Sequence, residues 1–277
     1  MYEQIASNKR KSVLLIISAV IFLGLIGYVV SYLWFGGGPI GILIAVAVAG
    51  ALSISSYRYG DRMVLASTRA KEVTADEQPR LHNIVEGLAI AAGVPKPRIY
   101  VVPEQAPNAF ATGRDPQHSS LAVTEGLLST MNRVELEGVI GHEMSHVVDR
   151  DILYGTIVAT LVGAAVLLSE FFLRSWWWSG GRGGRRGGDS GGSGLELAIF
   201  IVGFALMALA PLAGQLIKLS VSRNREYLAD AQGVMLTRYP PGLISALQKL
   251  ESAPTAMRSA NNATAHLWLA QPSRMEG

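Results

Sequence analysis

The chain contains no cysteine. That excludes thiol chemistry and a disulfide framework, and it fits a reducing compartment. Charge is missing from one long stretch as well, since no Asp, Glu, Lys, Arg or His occurs between Ser12 and Tyr57. About 20 apolar residues cross the hydrocarbon core of a bilayer, so this run suffices for two crossings. A stripe of basic residues interleaved with aromatics is also absent, although the net charge is +3. The basic excess lies beside the apolar runs, which is a topology signal, and nucleic acid is not an expected partner. There is no glycine-rich phosphate loop and no internal repeat beyond paired apolar hairpins.

What is present along those runs sets a topology. Lys9, Arg10 and Lys11 precede the first run, Gly36-Gly37-Gly38-Pro39 breaks it, and Arg58, Arg62, Arg69 and Lys71 follow it. The positive-inside rule then places the N-terminus and everything after Tyr57 in the cytoplasm. No small-residue cleavage site follows directly, so the first span reads as a retained anchor. Two more apolar runs cover Ile152–Leu173 and Leu195–Ile217, with Glu170 and Glu196 near the loop between them. That loop carries Trp176, Trp177 and Trp178, suited to a membrane interface, and then a Gly, Ser and Arg mixture. Arg174, Arg182, Arg185 and Arg186 argue for a cytoplasmic loop, whereas the lengths of the runs argue for crossing. The expectation is a second spanning hairpin; a hairpin packed against protein is the alternative.

The residues between the hairpins carry the chemistry. His142-Glu143-Met144-Ser145-His146 places two histidines at i and i+4, on one helix face, so both imidazoles can address one ion. Glu143 lies about 100° round the same helix, where a base must sit to take a proton from an attacking water. Beyond the second hairpin, Lys218 to Asp230 has no Gly or Pro and reads as a helix leaving the membrane. Glu226 and Asp230 again share a face. A catalytic zinc takes three protein ligands and an open position, which His142, His146 and Glu226 provide. Asp230 is placed to accept the other N–H of a ligating imidazole. Without the histidine pair, Glu226 and Asp230 would read as a solvated acidic face balanced by Arg223 and Arg225.

Around the motif, Ala75–Ala92 has Leu81, Ile84, Val85, Leu88 and Ala89 at helical spacing, closed by Gly93 and Pro95. Arg98–Val102 and Leu121–Thr124 read as strands. Arg114–Ser120 is a polar turn, and Asn132 with Glu135 forms a capping box that starts the histidine helix. Asn108–Thr112, between the strands, reads either as a structural turn or as an exposed edge able to accept a substrate backbone. His82 and His118 read as non-ligands. Polar residues flank the motif on both sides (Arg133, Glu135 and Glu137, then Asp149, Arg150 and Asp151), so the site belongs at the cytoplasmic surface.

The histidine motif, followed by Ser222-Arg223-Asn224-Arg225-Glu226-Tyr227-Leu228-Ala229-Asp230, resembles the HtpX-type membrane zinc metalloproteases. These are gluzincins related to the CAAX prenyl proteases. Pro107-Asn108-Ala109-Phe110-Ala111-Thr112-Gly113 matches a third block of that family, and Thr264-Ala265-His266-Leu267 resembles a fourth. One departure is that members continue into a segment with a His-Pro pair, which does not occur before Gly277. The resemblance implies substrate contacts at Asn108, Ala109, Phe110, Arg223 and His266, with His266 helping to stabilise the oxyanion.

The expected protein is thus an α-helical integral membrane protein with a cytoplasmic α+β, zincin-like protease domain and a small β-sheet. Residues 1–58 form the first hairpin and 59–151 the first part of the protease domain. Residues 152–217 form the second hairpin, with its loop at 174–194, and 218–277 complete the protease domain. One Zn²⁺ per chain and polypeptide substrates, mainly membrane proteins, are expected at an inner (plasma) membrane. The resemblance implies quality control of misfolded membrane proteins. A narrower CAAX-type processing peptidase and a catalytically inactive membrane scaffold are the rival readings.

Overall fold

The computed structural model describes residues 39–163, 223–253, 256–257, 263–270 and 272–274, with scattered positions between 6 and 21. The greater part of the first apolar run before Pro39, the second hairpin from 164 onward with its Trp and Arg loop, and residues 218–222 lie outside the described residues. Among the described residues no helix is long and apolar enough to cross a membrane.

Helix α1 (Pro39–Ser67) joins the end of the uncharged stretch to the basic residues that follow it. Next come β1 (Lys71–Glu72), α2 (Pro79–Ala92), β2 (Arg98–Val102), β3 (Ala109–Gly113) and β4 (Ser119–Thr124). A short α3 (Glu125–Thr130) leads into α4 (Arg133–Val148), and helical residues 152–163 follow. Beyond the undescribed stretch lie α5 (Arg223–Thr237), α6 (Pro240–Ser252) and the small strands β5 (Ala256–Met257) and β6 (Ser273–Arg274).

The four-stranded sheet has the order β1-β2-β4-β3. β2 and β4 run parallel with Ile99 opposite Leu121, while β3 is antiparallel to β4 with Phe110 opposite Ala122. β3 is therefore an edge strand. α2 starts at Pro79, four residues later than its apolar spacing suggests, because Thr74 and Glu77 bond to each other in a turn of their own. It buries Leu81, Ile84, Val85, Leu88 and Ala89, and it ends at Gly93 with φ +68°.

α4 occupies the centre of the domain. Asn132 Oδ1 accepts from the Glu135 N–H at 3.0 Å, and Glu135 Oε2 accepts from the Asn132 N–H at 2.8 Å, closing a capping box. Glu135 also accepts from Lys249 Nζ at 2.7 Å and Ser245 Oγ at 2.6 Å, which ties α6 to the start of α4. Leu136, Val139, Ile140, Met144 and Val147 are fully buried against α2, the sheet and α6. A helix covered on so many sides shows little amphipathic pattern in sequence, since nearly every face is a core face.

Candidate active site

The middle of α4 is where the two histidines meet. Their rings stand edge to face at 4.9 Å between centroids, with His142 Nε2 and His146 Nε2 3.1 Å apart. Each ring is fixed from behind. His142 Nδ1 donates to Asp230 Oδ1 at 2.8 Å, and His146 Nδ1 donates to Asp151 Oδ2 at 2.9 Å. With each Nδ1 proton given to a carboxylate, the two Nε2 atoms point at the same small volume.

Asp151 reaches His146 through an uncommon turn. α4 ends at Val148 with Asp149 as its C-cap, and Arg150 adopts φ +57°, a left-handed conformation that costs a non-glycine residue about 1–3 kcal/mol. The reversal carries the next residue back over the last turn of α4, where Asp151 bonds His146 and leads into the helix at 152.

Glu226 faces the histidine pair from α5. Its Oε2 lies 3.5 Å from His142 Nε2 and 3.8 Å from His146 Nε2, and the three ligand atoms fit within 4.8 Å of one another. Three ligands at zinc bond lengths of about 2.0–2.1 Å in tetrahedral array stand about 3.3 Å apart, so the spacing suits such an ion. A close helix crossing brings Glu226 there. A Cβ on Gly233 of α5 would meet the His142 backbone nitrogen at 2.8 Å, and one on Gly141 would sit 3.1 Å from the Gly233 carbonyl oxygen. Only glycine at this crossing lets α5 approach α4 so closely, and Asp230, three residues before Gly233, then reaches His142.

Glu143 is 2% exposed and accepts a hydrogen bond from the Ala111 backbone N–H of β3. Burial raises its pKa, and the two histidines oppose that rise without cancelling it. Burial would lower His146, but Asp151, Glu143 and Glu226 outweigh it and push that ring up to about 10. Burial likewise disfavours a charged His142, yet Asp230 and Glu226 raise it overall. Burial pulls Glu226 upward, while His142, His146 and Arg225 hold it below the usual carboxylate range. Carboxylates crowd two imidazoles so closely that the cage holds a positive charge, either protons or a metal cation.

The sequence profile of peptidase family M48 matches residues 75–270, which enclose every group named above. This chain belongs to peptidase family M48. A protease HtpX homolog of Streptococcus mutans is 44% identical over 277 residues, covering all of this chain and 93% of that one. Protease HtpX homologs of Lactobacillus helveticus and Thermoanaerobacter pseudethanolicus are 43% and 44% identical, over 100% and 98% of this chain and 93% and 90% of theirs. A crystal structure of S. mikatae Ste24p aligns with a TM-score of 0.48 at 18% identity, covering 96% of this chain and 61% of that one. As an M48 member the chain is a metalloprotease, a hydrolase of peptide bonds.

Within this M48 domain, the residues expected to contact substrate are scattered in role. Asn108 is 2% exposed, and its amide is occupied by Ala270, donating to the carbonyl at 2.6 Å and accepting from the N–H at 2.9 Å. Phe110 is fully buried, edge-on to Trp268 at 4.6 Å, so its side chain builds core. The expected exposed edge at 108–112 is instead the buried strand β3, engaged along its outer side. Ala109 O accepts from Leu269 N at 3.0 Å, Ala111 N–H serves Glu143, and Gly113 N–H donates to Thr156 Oγ1 at 3.1 Å. An edge strand inside a compact domain meets its own chain before it meets a substrate. Arg223 is exposed at the start of α5. His266 lies in a 3₁₀ turn, its Nε2 3.1 Å from Gly155 O, and burial holds its pKa down, so it stays neutral. His82 rests on the Val73 carbonyl and His118 on Asp115, both away from His142, His146 and Glu226.

The sequence assigned no role in the site to Asp151, to the Ala111 N–H or to the Gly141–Gly233 crossing. Glycines inside helical patterns were the visible cue for the last, since such glycines mark close approach.

Proposed function

We propose that the chain is a membrane-anchored zinc endopeptidase that cuts misfolded or damaged membrane proteins at their cytoplasmic segments, with one Zn²⁺ per chain. The observation that carries the zinc reading is the pair of Nε2 atoms 3.1 Å apart, each ring locked by a carboxylate behind it, with Glu226 closing the third side. His142, His146 and Glu226 would hold the ion. Bound zinc supplies Lewis-acid polarisation of the scissile carbonyl and a lowered pKa for the attacking water.

Glu143 takes the proton from that water and returns it to the leaving amine. Its raised pKa suits both halves of this shuttle, because a base nearer neutral pH also serves as an acid. Asp151 and Asp230 hold the imidazoles in the tautomer that offers Nε2 to the ion.

Membrane anchoring is supported by where apolar side chains are exposed. Val13, Leu14, Ile17, Ile21, Leu43, Leu52 and Ile54 are all exposed in or beside the uncharged stretch. A soluble surface rarely carries so continuous an apolar series. Full-length protein reconstituted in vesicles should cleave several unrelated unfolded membrane proteins, and Glu143→Gln should cleave none. Cleavage confined to one C-terminal motif would replace this reading with a processing peptidase. A cysteine at Ser190 should react with an impermeant reagent outside intact cells, whereas one at Ser67 should not. Protection of Ser190→Cys until the membrane is opened would remove the second spanning hairpin.

A further inference from the structure

A cavity of about 390 Å³ opens where α1 leaves its uncharged stretch and meets the hairpin turn between β3 and β4. Its walls include Arg58, Arg62, Lys96, Arg98 and Arg114, against a single carboxylate, Asp61. Asp61 already pairs with Arg98 at 2.6 Å. Lys96 pairs at 2.8 Å with Glu86, whose carboxylate is largely solvated, and Arg114 stands 3.5 Å from Asp115. Arg58 and Arg62 are exposed and have no carboxylate partner among the described residues. Tyr57 and Tyr59, 43% and 49% exposed, flank them. The Arg62 guanidinium lies 5.7 Å over the Tyr59 ring, and Arg114 lies 5.9 Å over Tyr57.

Depth decides what fills such a pocket. Arg58 is the first charge after Tyr57, and Arg62 stands one turn beyond, about 6 Å further along the axis. If the uncharged run 12–57 anchors the chain in the bilayer, these arginines emerge in the headgroup layer with tyrosines at the interface, where amphipathic rings settle. The abundant anion at that depth is the lipid phosphodiester. An excess of arginine, with Arg62 and Arg114 each lying over a tyrosine ring, suits its oxygens better than flexible lysines would.

We propose that this cavity binds the phosphodiester headgroup of an anionic phospholipid from the cytoplasmic leaflet. The proposal rests on the membrane anchoring of the chain proposed above. The headgroup phosphate sits between Arg58 and Arg62, with Arg114 behind it, and the lipid's acyl chains run back past the exposed Ile54 and Leu52. The site is separate from the metal centre, although Gly113, at the end of the strand that holds Glu143, forms part of its wall.

The test uses full-length protein reconstituted in phosphatidylcholine vesicles, with trace spin-labelled phosphatidylglycerol or phosphatidylcholine. Electron spin resonance then reads how strongly the protein immobilises each label. A basic residue at the membrane surface contributes about a fivefold preference for anionic lipid. Wild-type protein should favour phosphatidylglycerol, and Arg58→Gln/Arg62→Gln should lose most of that preference. Arg58→Lys/Arg62→Lys should keep part of it, and millimolar inorganic phosphate should displace little. Equal preference in wild type and the Gln variant would overturn the lipid site while leaving the membrane reading intact. Full displacement by inorganic phosphate would assign the pocket to free phosphate and overturn the lipid assignment. Failure of the wild type to float with the vesicles would overturn the membrane reading and this proposal together.

Discussion

Two helices face each other across the metal site, and they are held in different ways. α4, which carries His142, Glu143 and His146, is buried on nearly every side, and His142 and Glu143 are each 2% exposed. α5, which carries Glu226 and Asp230, buries only Ala229 and Gly233 within its length, and the Glu226 side chain is 44% exposed. One wall of the site is therefore set by the core of the domain. The other is docked onto it through a glycine contact and two carboxylate–imidazole pairs. A preorganised histidine pair with a docked third ligand means that loss of one carboxylate on each side should look different: without Glu143 of α4 chemistry fails with the ion retained, and without Glu226 of α5 the ion itself is lost.

Glu143→Gln should have the largest effect, lowering kcat by about 10²–10⁴-fold. Zinc content by mass spectrometry of the purified protein should be unchanged. Loss of the ion in this variant would mean that Glu143 is a ligand and that the comparison between the walls is drawn wrongly.

Removing the carboxylates behind the rings sharpens the comparison. Asp151→Asn and Asp230→Asn should each weaken zinc binding by about 10–100-fold. Asp151→Asn should lie nearer the upper value, because Asp151 is 9% exposed and Asp230 is 38% exposed. Competition with a chromophoric chelator measures both. A larger effect at Asp230 would place the tighter control on α5.

Gly233→Ala changes no polar group, yet its new methyl would press on the His142 backbone. The helices should separate by a few tenths of an ångström. Expected losses are about 1–3 kcal/mol in stability and a several-fold weaker zinc affinity. Denaturant midpoints and the chelator assay would read them, and unchanged values would show that α5 is not held by this contact.

Zinc loading should also release protons. In the metal-free protein His146 is pushed up to about 10, so at pH 8 its ring is protonated and must give up that proton to bind an ion. Zinc affinity should rise as pH rises towards about 10, and an indicator dye in weak buffer should register the release.

Much of this site was legible because its spacing is local. His142 with His146, and Glu226 with Asp230, are each one helical turn apart, and a period of 3.6 fixes their shared faces whatever surrounds them. The same rule picked out all five buried positions of α2. It would also have exposed α6, whose Leu243, Ala246 and Leu250 are buried at three- and four-residue steps. Asp151 was harder to read, since it reaches His146 only through the left-handed turn at Arg150, and nothing about an arginine announces that conformation. β1, two residues long, exists only through its pairing with Val101 and Tyr100, a tertiary fact. The stretch 108–112 stayed open between a turn and an exposed edge for a related reason: short stretches of small residues look alike in sequence, and only the folded chain shows a buried strand with Leu269 and Thr156 beside it.

The central claim is that His142 and His146 from the buried helix and Glu226 from the docked one hold a single zinc while Glu143 performs the chemistry. Metal content and peptide cleavage, measured side by side on wild type, Glu143→Ala and Glu226→Ala, test it most directly. The account predicts one zinc and activity in wild type, zinc without activity in Glu143→Ala, and neither in Glu226→Ala. Full zinc occupancy in Glu226→Ala at low free metal, or cleavage by Glu143→Ala above about 1% of wild type, would contradict it.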